Sequence, residues 1–265
     1  MKNLKDKVVV ITGAGSGIGR ALAHAFAGQG SLLALSDNNR QTLAETVRQL
    51  ELDKERVLSA VVDSSNREAT ERFAAKVVKA FGQVDVVINN AGIASKGYLD
   101  EVDYATFERV INVNMWGVVY GTRAFLPYLK ERPEAVLANV SSIFGMVPAA
   151  GTGPYNMSKY AVLGFNETLM IELKDTSVKV LSIHPGGIGT NIANNAIGMD
   201  KQGAERFNKN LLTSAPQAAK AIVKAIKAGK SQLFIGPDAL VLQALKRAWP
   251  GAALWASGRL FNSEG

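Results

Sequence analysis

Val8-Val9-Val10-Ile11-Thr12-Gly13-Ala14-Gly15-Ser16-Gly17-Ile18-Gly19-Arg20 is the stretch that decides the fold. Its apolar, β-branched start predicts a strand covered on both faces. Glycines follow at once, and a helical pattern begins at Ile18. Glycines at a strand-to-helix turn let backbone N–H groups approach a phosphate, and the helix N-terminus adds a favourable dipole. The spacing is GxxxGxG, because Ile18 and Arg20 stand where the third glycine of GxGxxG would fall. Taken alone, such a motif fits a purely structural turn as well.

The same alternation continues down the chain. Strands are predicted at Val8–Thr12, Leu32–Ser36, Val57–Val62, Val84–Asn89, Ala135–Val140, Val178–His184 and Gln232–Ile235. Helical patterns fall between them at 18–29, 40–51, 66–81, 103–129, 154–174 and 215–228. Repeated strand–helix units imply right-handed crossovers and a parallel sheet. The expected fold is therefore α/β: a single-domain, Rossmann-like, doubly wound sheet of about seven strands with helices on both faces. Residues 190–212 interrupt the rhythm without a clean period and read as a lid over a binding site. The tail, 237–265, holds an amphipathic helical stretch over Asp238–Trp255, broken at Pro250-Gly251. It either joins an interface or closes over the site.

Composition removes several classes of function. The 265 residues include no cysteine, which excludes disulfides, thiolate metal sites and cysteine nucleophiles and fits a reducing compartment. Two histidines, His24 and His184, cannot build a histidine-rich metal centre, so no metal is expected. His24 reads as a helix-face residue and His184 as strand-end packing. The net charge is +7, but the basic residues are scattered, which favours an anionic small ligand over nucleic acid. The apolar run Val8–Ile11 is too short for a signal peptide, and no stretch has the length of a transmembrane segment. A cytoplasmic location is the expectation.

Asp37 ends the second predicted strand, 18 residues past Gly19. An acid there accepts hydrogen bonds from both adenosine ribose hydroxyls and repels a 2′-phosphate. Neutral Asn38 and Asn39 follow, then Arg40. This points to NAD, with NADP as the alternative; a helix N-cap is the competing role for Asp37.

Further motifs come in order: Asn89-Asn90-Ala91-Gly92, Asn112-Val113-Asn114, Ser142, Tyr155-Asn156-Met157-Ser158-Lys159 and Pro185-Gly186-Gly187-Ile188-Gly189-Thr190. A YxxxK pair alone is weak, but with Thr12–Gly19 these motifs carry a specific resemblance. From about Lys5 to Pro237 the sequence resembles the classical short-chain dehydrogenases/reductases. A hydrolase GxSxG elbow and a Walker lysine are both missing.

Hydride transfer between an alcohol carbon and nicotinamide needs a group that exchanges the hydroxyl proton. Free tyrosine, with a pKa of about 10, is a poor base at neutral pH. Lys159 lies one helical turn after Tyr155, and its charge is expected to favour the phenolate. Ser142 ends the fifth strand, where its hydroxyl can orient the substrate oxygen. The resemblance further implies that Asn114 completes a proton relay through water to Lys159, although a polar group at a helix break is an alternative. It also implies that Lys159 holds the nicotinamide ribose.

The implied cofactor set begins with Gly13, Ser16, Gly17, Ile18 and Gly19 in the turn. Asp37, Asp63 and Ser64 follow on the adenosine side, with Asp63 also readable as a turn residue. Asn90, Ala91 and Gly92 flank the adenosine ribose, and Tyr155, Lys159, Pro185, Gly186, Ile188 and Thr190 surround the nicotinamide half. Ser142, Phe144, Tyr155, Gly187 and Ile192 are the expected substrate contacts. Met146, Val147, Pro148, Ile197, Met199 and Phe207 add apolar surface without fixed charge, blurred by Asn191, Asn194 and Asn195. The substrate reading is a small, apolar secondary alcohol or ketone. A dinucleotide-binding sensor without turnover is the rival class.

A homodimer or homotetramer is also expected. Phe107, Val110, Ile111, Val113, Met115, Trp116, Val118, Val119, Tyr120, Ala124, Phe125 and Leu126 surround almost the whole circumference of one helix. The resemblance implies that this helix pairs with 154–174 across a dimer axis.

Overall fold

The computed structural model describes residues 1–209, 211 and 213–261. The end of the 190–212 stretch and of the 237–265 tail thus fall outside the described residues. The chain alternates β1 (Val8–Thr12), α1 (Gly17–Ala27), β2 (Leu32–Asp37), α2 (Arg40–Leu50), β3 (Val57–Val61), α3 (Arg67–Phe81) and β4 (Val86–Asn89). Then come α4 (Tyr104–Ile111), α5 (Gly117–Lys130), β5 (Ala135–Val140), α6 (Gly153–Glu172) and β6 (Val178–Pro185). After them lie β7 (Ile188–Gly189), α7 (Lys201–Lys209), β8 (Thr213–Ser214), α8 (Ala215–Lys227), β9 (Gln232–Ile235), α9 (Pro237–Ala248) and α10 (Pro250–Phe261).

Seven strands form one parallel sheet in the order β3-β2-β1-β4-β5-β6-β9. The continuous apolar runs have a direct cause in the pleat, which sends alternate side chains to opposite faces. Val9 and Ile11 of β1 pack with Leu22 and Phe26 of α1 and with Ile222 of α8. Val8 and Val10 pack on the other side with Phe73 of α3, Phe125 of α5 and Leu169 of α6. Full burial of a side chain such as Phe26 contributes roughly 3 kcal/mol. The predicted strands are all present, each within two residues of its expected ends.

Two stretches differ from the sequence reading. The pattern over 103–129 is one helix by periodicity, but a π turn at Asn112–Trp116 divides α4 from α5. One extra residue in a turn leaves too little trace in a hydrophobic period to be read there. Within 190–212, α7 forms over residues that are mostly polar, which hid its helical spacing. Among the described residues no helix is long and apolar enough to cross a membrane.

A polar row runs through the buried sheet. Asn89, Asn139 and Ser182 are aligned in register on β4, β5 and β6. Asn89 Nδ2 donates to Asn139 Oδ1 at 2.8 Å, and Asn139 Nδ2 donates to Asn166 Oδ1 on α6 at 2.7 Å. Asn166 Nδ2 donates to Ser182 Oγ at 2.8 Å, and Ser182 Oγ lies 2.9 Å from His184 Nε2. His184 Nδ1 is 3.4 Å from the Ser142 carbonyl oxygen. Burial pushes His184 down to about 4, so the ring is neutral and can accept at one nitrogen while donating at the other. Removing a middle member leaves buried partners unsatisfied. Asn166→Ala is accordingly expected to cost about 2–3 kcal/mol and lower Tm by roughly 5–10 °C, measured by calorimetry. An unchanged Tm would show that the row does not hold the sheet.

Candidate active site

A cavity of about 1270 Å³ lies along the carboxyl ends of the strands, where open α/β sheets place ligands. At one end stands the glycine turn. Gly13 has φ +66°, and a Cβ on it would come within 2.8 Å of Ala91 Cα. Gly17 has φ +52° and faces Thr190. Asn90 closes the turn from the neighbouring strand, its Nδ2 donating to the Thr12 carbonyl at 2.9 Å. The Thr12 hydroxyl accepts the Asn90 and Ala91 N–H groups, each at 3.0 Å. Ser16 caps α1 without a side-chain hydrogen bond, and the first turn of that helix has no acid. The helix end therefore offers N–H groups to an anion.

Asp37 accepts the Gly15 N–H at 2.8 Å and, through its other oxygen, the Asn39 N–H at 2.8 Å. Asn39, not Asp37, caps α2. Arg20 turns inward to the Gly15 and Thr42 carbonyls and the Thr46 hydroxyl. Asp63 accepts from Ser65 at 2.7 Å and pairs with Arg109 at 3.0 Å. Its carboxyl lies below the ordinary range: desolvation pushes it up, and the bonds to Ser65 and Arg109 together outweigh that.

Mid-cavity, β5 and α6 bring Ser142, Tyr155 and Lys159 together. The Ser142 hydroxyl accepts the Phe144 N–H at 3.1 Å and donates to the Pro185 carbonyl at 3.4 Å, and it lies near enough to the Tyr155 phenol to favour its ionised form. Phe144 meets the Tyr155 ring edge-on at 6.4 Å. Lys159 Nζ donates to the Val140 carbonyl at 2.9 Å and lies 5.6 Å from the Tyr155 ring centre. Gly145 makes this approach possible, since a Cβ there would sit 2.6 Å from the Lys159 carbonyl oxygen. The electrostatics differ from the sequence expectation. Burial raises the Tyr155 phenol despite the nearby Ser142 hydroxyl, and burial lowers Lys159 to about 8. Lys159 is buried and Tyr155 half-buried, and in each the loss of water around the charged form sets the shift.

Most residues expected at the site line this cavity: Ser16, Ile18, Ser64, Gly92, Pro185, Gly186, Gly187, Ile188 and Ile192 among them. Two do not. Gly19 lies in α1, where a Cβ would strike the Gly13 carbonyl oxygen at 2.0 Å, so it serves close packing. Asn114 is fully buried in the π turn. Its Oδ1 accepts the Ile93 N–H at 2.8 Å, and its Nδ2 donates to the Ile93 carbonyl at 2.9 Å and to Ser158 at 3.0 Å. Its amide reaches the cavity only past Gly92, whose Cβ would lie 3.3 Å from Asn114 Oδ1 and 3.4 Å from Lys159 Nζ.

Of the apolar set, Phe144, Ile192, Met199 and Phe207 line the cavity. Val147 packs instead with α9, and the Pro148 carbonyl is bonded by Ser257. The expectation of a lining without fixed charge needs correction, since Lys96 and Arg206 both contribute. Sequence reasoning also missed Asp238, at the start of α9. Its Oδ2 accepts the Gly187 N–H at 2.6 Å, and a Cβ on Gly186 would collide with it at 2.2 Å. An acid just after Pro237 was the only local signal.

A Rossmann-like sheet whose carboxyl edge gathers a glycine turn, an acid at the end of β2 and a Ser–Tyr–Lys cluster defines an oxidoreductase class. The chain belongs to the short-chain dehydrogenase family, whose profile matches residues 7–201. It is 42% identical over 254 residues to the Mycobacterium tuberculosis oxidoreductase SadH, covering 93% of this chain and 92% of that one. A short-chain dehydrogenase/reductase from Burkholderia phymatum, solved in complex with NAD, superposes with a TM-score of 0.88 at 29% identity, covering 95% of this chain and 96% of that one. An alcohol dehydrogenase from Thermococcus sibiricus, complexed with 5-hydroxy-NADP, gives a TM-score of 0.76 at 30% identity, covering 86% and 95%.

The Lys159 shift has a sign that stability measurements can read. Between about pH 8 and the ordinary lysine value of 10.5 the unfolded chain binds a proton that the folded chain lacks. Stability therefore rises with pH across that window. Melting curves of wild type and Lys159→Met should show wild type gaining relative to the variant from pH 8 to 10; a constant difference would contradict the buried ammonium.

Proposed function

We propose that the chain transfers hydride between NAD(H) and an apolar secondary alcohol or ketone, with Tyr155 exchanging the proton. The observation that carries this is the meeting of Ser142, Tyr155 and the buried Lys159 on one cavity wall, with Lys159 Nζ 5.6 Å from the Tyr155 ring centre. The start of α1, with no side-chain cap bond and no acid in its first turn, fits a dinucleotide pyrophosphate, and a side chain at Gly17 would crowd Thr190 at that place. When bound, nicotinamide accepts or supplies the hydride at its ring. Ser142 holds the substrate oxygen, and Tyr155 takes the hydroxyl proton during oxidation or returns it during reduction. Lys159 holds the nicotinamide ribose hydroxyls. Asn114 fixes the segment beneath Lys159 and supports the relay to water. Residues 190–212 act as the lid of one dinucleotide-binding domain, a reading supported by Ile192, Met199 and Phe207 on the cavity wall.

Tyr155→Phe is expected to lower turnover by 10²–10⁴-fold or more while leaving dinucleotide binding nearly intact. Lys159→Ala should harm both. Wild-type turnover by the phenylalanine variant would sink the assignment, and binding without turnover over a broad alcohol and ketone panel would favour the sensor.

NAD(H) is favoured over NADP(H) by Asp37 at the end of β2 and by Arg20, whose guanidinium is committed to Gly15, Thr42 and Thr46. Titration calorimetry should give tighter binding for NAD; tighter NADP binding would reverse the choice and implicate the exposed Arg40.

The same reading includes a homo-oligomer built on the α4–α6 side. Of the expected circumference, Val110, Val113, Val118 and Phe125 are buried and Trp116 is exposed, and beside it Tyr104 on α4 and Met157 and Ile171 on α6 are exposed. Sedimentation at micromolar concentration should find a species larger than the 28.2 kDa chain, and a stable monomer would contradict it.

A further inference from the structure

The two helices after β9 are apolar on the side that faces out as well as on the side that faces in. From within, Ala239, Leu242 and Ala253 are buried with Ile143 and Val147, and the Ser257 hydroxyl donates to the Pro148 carbonyl. On the outer side Leu240, Val241, Trp249, Leu254 and Trp255 are exposed, Trp249 at 69% and Trp255 at 62%. A helix pair already anchored by one apolar face gains from a second covering only if something apolar meets the other.

The charge on this face selects what that is. From Ala239 to Phe261 the sequence has Lys246, Arg247 and Arg259 and no Asp or Glu. Arg247 lies seven residues after Leu240 on the same exposed stripe. Arg259 sits over the Trp255 ring, 4.6 Å from its centre. Among the described residues none of the three forms an ion pair. We propose that the outer face of α9 and α10 docks on an anionic lipid surface. Tryptophan suits the boundary between headgroups and acyl chains, and basic residues beside apolar ones are the composition of interfacial helices. A second copy fits worse, because a two-fold contact would bring like charges together with no carboxylate on the face.

The face also borders the cavity. Val241 is exposed on α9 and lines the cavity beside Leu242. Docking through this face sets the cavity mouth against the lipid, whatever reaction the cavity performs.

The test is co-sedimentation of the full chain with vesicles of phosphatidylcholine alone or mixed equally with phosphatidylglycerol. Wild type should bind the mixed vesicles at low salt, bind phosphatidylcholine at least tenfold more weakly, and be released by high salt. One cation near an anionic surface is worth about fivefold in binding, so Arg247→Gln/Arg259→Gln should weaken it by roughly 25-fold. Trp249→Ala/Trp255→Ala should weaken it comparably, with melting temperature and dinucleotide binding showing that both variants remain folded. Wild type left in solution with the mixed vesicles overturns the proposal. So does equal binding to both vesicle types, or binding that neither variant weakens. If the tryptophan variant instead dissociates an oligomer in sedimentation and wild type ignores vesicles, the face is a contact between copies.

Discussion

Hydrogen bonds all running in one direction hold the carboxyl edge of the sheet together. Asn89 donates to Asn139, Asn139 to Asn166, and Asn166 to Ser182. With His184 neutral, Ser182 donates to one ring nitrogen and the other donates towards the Ser142 carbonyl. Amides and hydroxyls inside an apolar sheet destabilise it heavily unless each finds a partner in good geometry. That demand favours the observed register among β4, β5 and β6, although Asn89 Oδ1 itself is left without a partner among the described residues. The same demand sets where β5 ends and hence where Ser142 points. Stacking of His184 on Phe234, with ring centres 5.0 Å apart, extends the constraint to β9.

Ser142, Tyr155 and Lys159 inherit their positions from this frame and their chemistry from being kept dry. A lysine ammonium away from water is weakened, and a phenol away from water resists ionisation. Each shift follows from desolvation, and each would be reduced by an opposite charge brought into the same space. The site thus holds a neutral phenol beside a lysine whose proton is loosely held.

Much of the fold was legible because its strands are buried on both faces. Val8–Thr12, Ala135–Val140 and Gln232–Ile235 have the same ends in sequence and structure. The site was legible where its residues are close in sequence, as with Tyr155 and Lys159 one helical turn apart. Residues joined only by the fold were hidden. Nothing near Asn139 announces Asn89 or Asn166, which meet it across 50 and 27 residues. The π turn at Asn112–Trp116 escaped because periodicity averages over several turns. Gly19 has a packing role that its place in the motif did not announce: its missing side chain lets α1 sit against the Gly13 carbonyl.

Asp238 joins two parts of the chain that the sequence keeps 51 residues apart. Its carboxylate receives the Gly187 N–H, so the first turn of α9 and the turn after β6 share one fastening. Free-energy coupling between two such segments is symmetrical. Whatever steadies the Pro185–Gly187 turn also steadies the tail, and whatever pulls the tail aside loosens the turn by the same amount. The C-terminal helices are in this sense a lever on the interior of the cavity rather than an appendage, with its fulcrum at one aspartate.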